Sequence, residues 1–411
     1  MRERWPQVAL AEVAHLDIER VAVVPGETYR MAGVLNAGRG VFERDEIDGA
    51  DTNYPALHRL RRGQLVMRKL TAWEGPITVV PQDFDGYFVS SEFPTFTLDR
   101  SRIEPDFMRL VCQTPKLWEA MKATSTGTVQ RRKRVNPAAL LAIKIDLPPL
   151  PEQRRIADLT GALHRVRAGA TAALGAAENL YVALLVSEVS RALEGTALAP
   201  LHELAEVTLG KMLSQAAKKG DAEEFPYFRN ADVQWDDLRI DDLKTMHFSR
   251  DQREKFRLRA GDVLVCEGGE VGRSAVVDRD LDGVFFQKAI HRVRCREALL
   301  PRFLMHLMRY NAVTGGFADL TSQLTIAHLT REKLLGLRLP LLDIPEQRRI
   351  AALLDVALET RRRSLYEARA TEQMQGALAT SLISADRQIP ESYNRFLEEE
   401  ADRDPGLALA A

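Results

Sequence analysis

Cysteine is scarce. Cys112, Cys266 and Cys295 are too few and too scattered for a disulfide framework or a paired-cysteine metal site, so a reduced, cytoplasmic setting is expected. An excess of charge of one sign is also missing. The 57 Lys and Arg against 58 Asp and Glu leave a net charge of −1. Any attraction to a polyanion must therefore come from local clusters, because bulk charge does not supply it. The longest uninterrupted apolar run, residues 180–186, is seven residues, far from the roughly 20 that cross a bilayer. The N-terminal MRERWPQVALAEVA has no signal-peptide core. No membrane association is expected. What is present is a core-forming balance of 45% hydrophobic and 28% charged residues. The 411 residues suffice for two to four domains of roughly 100–200 residues each.

The chain is written twice. Residues 151–157 read PEQRRIA, and residues 345–351 read PEQRRIA again, 194 residues later. Residues 10–13 and 204–207 both read LAEV, at the same offset of 194. Weaker echoes fill the interior: LRRGQLV at 60–66 with LRAGDVL at 258–264, YRMAGV at 29–34 with YFRNADV at 227–233, and PDF at 105–107 with PRF at 301–303. Their offsets drift to 196–198 before returning to 194. Interiors that gained and lost residues between flanks in register suggest a fixed scaffold carrying a variable surface.

Each copy has a mixed pattern. Residues 65–67, 77–80, 93–98, 263–266 and 275–277 predict strands bounded by Gly, Pro and Asp. Residues 105–113, 116–122 and 301–310 predict helices with Pro at or near the first turn. Alternating apolar residues predict a closing strand in each copy: Leu141, Ile143, Ile145 and Leu147, then Leu335, Leu337, Leu339 and Leu341.

After Pro151 the apolar positions Ile156, Leu159, Leu163, Val166, Ala170, Ala173, Ala177, Leu180 and Leu184 alternate by three and four, which is a heptad seam. Residues 152–187 would form a rod of roughly 54 Å. The second helix, from Glu346 to about Ser384, starts with Ile350, Leu353, Leu354 and Ala357 and then loses a clean register. The two helices are expected to pair antiparallel, since two copies in one chain are most simply related by a pseudo-twofold. The tail at 387–411, with Glu398–Glu400, Asp402 and Asp404, is expected to be acidic, solvated and flexible.

Signatures of catalysis are missing. Gly210-Lys211-Met212 lacks the first Gly and the hydroxyl residue of a phosphate loop. The Gly-rich 268–272 lies between short strands and predicts a tight turn. The histidines show no zinc-protease spacing, and His291 and His306 predict packed or solvent-facing residues. No Gly-x-Ser-x-Gly elbow occurs. No catalytic, cofactor-binding or metal-binding residue is assigned.

The basic residues are grouped. Arg61, Arg62, Arg68 and Lys69 form one cluster, and Gln130 with Arg131, Arg132, Lys133 and Arg134 the densest. In the second copy Lys218, Arg253, Lys255, Lys288 and His291 stand near Asn230 and Gln323. Such groups suit a DNA duplex: Arg and Lys hold phosphates or guanine, and Asn or Gln reads adenine. A solvated face is the plainer alternative.

The repeated order of variable domain, LPPLPEQRRIA (147–157), long helix, variable domain, LLDIPEQRRIA (341–351) and long helix resembles the specificity subunit of type I restriction–modification enzymes. The segments 126–130 and 322–324 look like the small polar loop that this family often carries before the junction. The Arg-rich first loop and Leu342-Asp343-Ile344 depart from the family pattern. The resemblance implies an α+β fold with two tandem-duplicated mixed α/β target-recognition domains (1–150 and 198–344). These would be separated by two long antiparallel coiled-coil helices (151–197 and 345–386) in a pseudo-twofold arrangement. It implies a non-catalytic reader of a bipartite site in double-stranded DNA, docking two methyltransferase subunits and restriction/translocase subunits. S-adenosylmethionine, ATP and Mg²⁺ would belong to those partners. Two other readings remain: a coiled-coil protein-interaction scaffold, and a nuclease using Glu203, Glu332 and Lys333.

Overall fold

A computed structural model describes residues 5–126, 133–212, 222–318, 328–383 and 389–394. The chain divides into two compact units: Met1–Ala170 with Ala368–Ala411, and Thr171–Glu367. The long helices Leu150–Leu193 and Ile344–Ile383 each begin in one unit and end in the other.

Unit 1 centres on an antiparallel sheet in the order Ile77–Val79, Leu65–Met67, Thr95–Leu98, Ala14–Leu16. Unit 2 repeats it as Ser274–Val276, Asp262–Cys266, Ile290–Cys295, Ala205–Leu209, again antiparallel throughout. A two-stranded ladder closes each unit: Gln7–Ala9 with Lys144–Asp146, and Leu198–Pro200 with Arg338–Pro340. The units diverge in their second sheet. In unit 1 Ala56–Arg59 lies antiparallel between Glu19–Ala22 and Phe88–Val89. In unit 2 Glu223–Phe228 pairs antiparallel with Lys244–Phe248 but parallel with Phe285–Phe286. Repeated scaffold and variable interior, expected from the offsets, are both present.

Local chemistry sets the helix ends. Pro105 and Pro301 open their helices, where a missing N–H costs nothing. The Thr114 side chain caps Pro115–Ala123 by accepting from the Leu117 amide, and Asn136 caps Pro137–Leu141 through the Ala139 amide. Gly315, at φ 76°, stops Pro301–Thr314 in the left-handed region. The two closing strands are shorter than the alternation of apolar residues predicted, because Leu141 and Leu335 end short helices instead. Leu140 and Leu334 point those helices into the cores.

The unit 1 core joins sheet residues Leu65 and Phe96, helix residues Phe107 and Met121, and Ile156, Leu382 and Ile389. The unit 2 core joins Val207, Val263 and Phe303 to Tyr181, Leu185, Ile350, Leu354 and Leu358 of the long helices. A separate cluster around Phe228, Phe248, Phe285 and Phe286 fills its variable lobe. Each large apolar side chain buried in this way contributes about 1.5–3 kcal/mol.

Within unit 2 the long helices run antiparallel, tied by Glu178 to Arg361 and Glu188 to Arg349. Within unit 1 His164 meets Gln375 at 3.4 Å, and the chain beyond the second helix meets Asp158 through the Tyr393 hydroxyl at 2.7 Å. The pairing is as expected, but the seam needs correction. Ile156, Leu163, Ala177, Ile350, Leu354 and Ala357 are buried, and Leu159 and Ala170 are half-buried. Val166 (55%), Leu180 (52%) and Leu353 (37%) are exposed, as is Ala173. The covered stripe is Ile156, Thr160, Leu163, Arg167, Ala170, Leu174, Ala177, Tyr181 and Leu185. It shares one column with the predicted seam and moves the other by one residue. Tyr181 is covered because its hydroxyl has a partner: it meets His306 Nδ1 at 3.1 Å, and His306 Nε2 meets Asp355 at 2.8 Å.

The displaced column leaves apolar surface uncovered. An 18-residue window of the first long helix has a mean hydropathy of 1.4 and is only 17% buried, long and apolar enough by composition to cross a membrane. Counting uninterrupted runs missed it, because Gly175 and Glu178 break the runs without making the segment polar. Tyr181, Leu185 and Val189 of the same helix lie in the unit 2 core. The tail reading also changes for residues 389–394: Ile389 is buried in the unit 1 core, and Arg155 bonds Asn394 at 3.1 Å.

Candidate nucleic-acid interface

Each unit has a connection between two repeated strands that carries candidate residues. In unit 1 the chain leaves Leu65–Met67 and returns to Ile77–Val79. In unit 2 it leaves Asp262–Cys266 and returns to Ser274–Val276. Both connections end on a left-handed glycine packed on an aromatic ring. A Cβ on Gly75 (φ 70°) would stand 2.5 Å from Trp118, and one on Gly272 (φ 76°) 2.3 Å from Phe317. Only glycine fits either place.

Backbone bonds put the two connections in register. The Lys69 amide donates to Glu92 O (2.9 Å) and the Glu267 amide to Ala289 O (3.0 Å). Val135 donates to Lys69 O (3.1 Å) and Leu329 to Glu267 O (2.7 Å). In unit 1 a short ladder continues through Leu70 and Arg134, and Thr71 donates to Lys133 O. The Arg-rich segment is thereby tied to the turn that carries Lys69.

Several candidate side chains are held by the fold. Arg68 is half-buried and donates to Leu70 O, Asn36 Oδ1 and Thr71 Oγ1 at 2.7–3.1 Å, so it shapes the turn. Asn230 donates to Gly268 O at 2.8 Å and braces the Gly-rich turn in unit 2. Arg61 pairs with Asp17, and Arg62 bonds Gln82. Arg134 pairs with Glu92 at 3.1 Å. Arg253 pairs with Glu223 at 3.0 Å and lies over Phe225. These exposed or half-exposed pairs hold their partners weakly, so the cations remain available to phosphate. Lys255 and Lys288 are exposed, Lys69 and Lys133 half-buried. Gln130, Arg131, Arg132, Lys218 and Gln323 lie outside the described residues.

His291 requires a correction. It is fully buried, and its Nε2 meets Leu329 O at 2.9 Å, so it cannot reach DNA. Burial pushes its pKa down and favours the neutral ring. Sequence reasoning missed Lys211, which is buried with Nζ donating to His247 O and to Gln252 Oε1 and lying over the Phe248 ring. Burial lowers its pKa. It anchors the chain just before Lys288, whose amide donates to Lys211 O. Among the described residues no group of three or more His, Cys, Asp or Glu is placed to hold a metal ion.

Comparison with known proteins gives this geometry its class. Residues 195–363 match the family model described as the type I restriction modification DNA specificity domain. That span lies within unit 2, and unit 1 repeats its sheet order. No curated protein sequence matches the chain. A solved structure titled for the complex assembly and conformational transition of the type I R-M system aligns over 94% of this chain and 99% of its own, at 20% identity and a TM-score of 0.59. The type I restriction–modification system S subunit from M. genitalium aligns over 92% of this chain and 96% of its own, at 13% identity and a TM-score of 0.55. The chain therefore has the fold of type I specificity subunits, and its residues 195–363 are similar to the type I restriction modification DNA specificity domain.

Proposed function

We propose that this chain is the specificity subunit of a type I restriction–modification complex, working in the cytoplasm and reading a bipartite sequence in double-stranded DNA. One observation carries the reading: the sheet order of the matched specificity domain is repeated in unit 1, so one chain holds two recognition units. Their different second sheets support two half-sites of different sequence. The chain itself performs no catalysis. Methylation and cleavage fall to two methyltransferase subunits and to restriction/translocase subunits, which bring S-adenosylmethionine, ATP and Mg²⁺. The uncovered apolar helix surface, with Leu180, Val356 (68%) and Tyr366 (75%) exposed in unit 2, supports docking of such protein partners.

The test is mapping of methyladenine in the source cell with the gene intact, deleted, or lengthened by one heptad, about 10.5 Å, in each long helix. A two-part motif that vanishes on deletion and changes only its gap on lengthening is expected. A methylation pattern indifferent to deletion would leave the scaffold reading in its place.

A further inference from the structure

Lys69 and Glu267 occupy one position of the duplicated scaffold and carry opposite charge. Two backbone bonds fix the equivalence, since the amide of each donates to the segment leading into the next sheet strand and the carbonyl of each accepts from the segment after the Arg-rich or small polar loop. A third repeats beside them, Arg68 to Pro76 O at 2.9 Å and Cys266 to Arg273 O at 2.7 Å. Both side chains are half-buried. Among the described residues neither makes a hydrogen bond or ion pair. Their turns are built to hold still: Arg68 ties one to Asn36 and Thr71, and Asn230 ties the other to Gly268. The surroundings differ in charge as well: unit 1 adds Lys133 and Arg134, whereas in unit 2 His328 precedes Leu329.

A half-buried charged side chain carried on a braced turn without an internal partner is left to water or to a partner from outside. In a DNA reader that partner is a base edge or a phosphate. We infer that Lys69 and Glu267 are matched specificity-determining residues, Lys69 donating to guanine in the half-site read by unit 1 and Glu267 accepting from the amino group of cytosine in the half-site read by unit 2. The inference rests on the proposed DNA-reading function. Its chemistry follows from the bases, because guanine presents two acceptors in the major groove and cytosine a single amino donor. A carboxylate near phosphates is unfavourable by charge, so Glu267 is tolerated there only where it meets a donor.

The test is selection from a duplex library, randomised in both half-sites, by the full chain together with the subunits that co-purify with it. Lys69→Met is expected to cut the preference for guanine at one position of one half-site, on the order of tenfold, leaving the other half-site as it was. Glu267→Gln is expected to relax cytosine at one position of the other half-site, and Glu267→Lys to replace that cytosine with guanine. Thermal unfolding of each variant accompanies the selection. If Lys69→Met weakens binding evenly across all sequences, Lys69 meets phosphate only, and if Glu267→Gln leaves the sequence preference unchanged, Glu267 reads no base; either result overturns the inference. It falls equally if Glu267→Gln alters only stability, through the field that Glu267 exerts on buried His291. If the wild-type protein selects no sequence at all, the failure belongs to the DNA-reading function itself. Should Glu267→Lys not fold, the near-isosteric Gln variant decides.

Discussion

Gln153 and Gln347 make the same three hydrogen bonds in their respective units. The Gln153 side-chain amide donates to Arg102 O and Pro148 O while its oxygen accepts from the Glu104 amide, at 2.8–2.9 Å. That of Gln347 donates to Ala298 O and Leu342 O and accepts from the Leu300 amide, at the same 2.8–2.9 Å. Both are buried, at 0% and 1% exposure. Each locks the start of a long helix to the turn that opens a core helix, which gives the glutamine of both PEQRRIA copies the same task. Replacing either glutamine by Leu leaves three backbone groups, most of them part-buried, facing an apolar side chain in place of their partner. Gln347→Leu is expected to cost about 2–4 kcal/mol, read by thermal or denaturant unfolding. A loss below about 0.5 kcal/mol would remove the clamp from the account.

The corrected seam separates neighbours on one helix. Tyr181→Ala is expected to cost about 3–5 kcal/mol, as a large buried side chain lost with its hydrogen bond to His306. Leu180→Ala, at 52% exposure, is expected to stay within about 0.5 kcal/mol in the isolated chain. Equal losses in unfolding experiments would return Leu180 to the seam.

His291 gives stability a dependence on pH. Its pKa in the folded chain lies below the ordinary 6.5 because of burial. The unfolded chain therefore binds the proton more readily. This contribution to stability is complete above pH 6.5 and is lost as the pH falls from there toward the folded value. Unfolding measured between pH 5 and 8 should show that decline, and His291→Gln should flatten it. A variant that keeps the full decline would assign it elsewhere.

Salt dependence locates the phosphate contacts. Binding to duplex DNA should weaken with a slope near −0.9 per phosphate neutralised. Replacing Arg131, Arg132, Lys133 and Arg134 together by Ala should make that slope shallower by up to about four such units. An unchanged slope over a titration in salt would make the run a solvated surface feature.

The sequence showed the repeat, the helix pairing and five strands of the two repeated sheets because they are set by local pattern, and each PEQRRIA copy holds a buried glutamine with three hydrogen bonds. It did not show which neighbour on the first long helix faces inward. Hydrophobicity ranks Leu180 above Tyr181 and Leu159 above Thr160, yet Thr160 is covered with its hydroxyl bonded to Ile156 O, and Tyr181 is covered with its own partner on another helix. His291 was misplaced for a similar reason. Its strand, Ile290–Cys295, is buried continuously over its first four residues, polar ones included, so no alternation marks the inner face. The offset of 198 between LRRGQLV and LRAGDVL already sets Lys69 against Glu267, but the bonds that hold both turns come from residues more than 20 positions away, beyond the reach of pattern reading.

Each lobe starts and finishes on the same two-stranded ladder, Gln7 opposite Asp146 in one and Leu198 opposite Pro340 in the other. The two chain ends of a lobe are thus a single strand spacing apart, roughly 5 Å. A foreign lobe of any length whose ends meet at that spacing could be spliced in as a cassette without stretching the helices behind it. Under the proposed function, recombination at these ladders would offer a route to new targets that leaves the paired helices untouched.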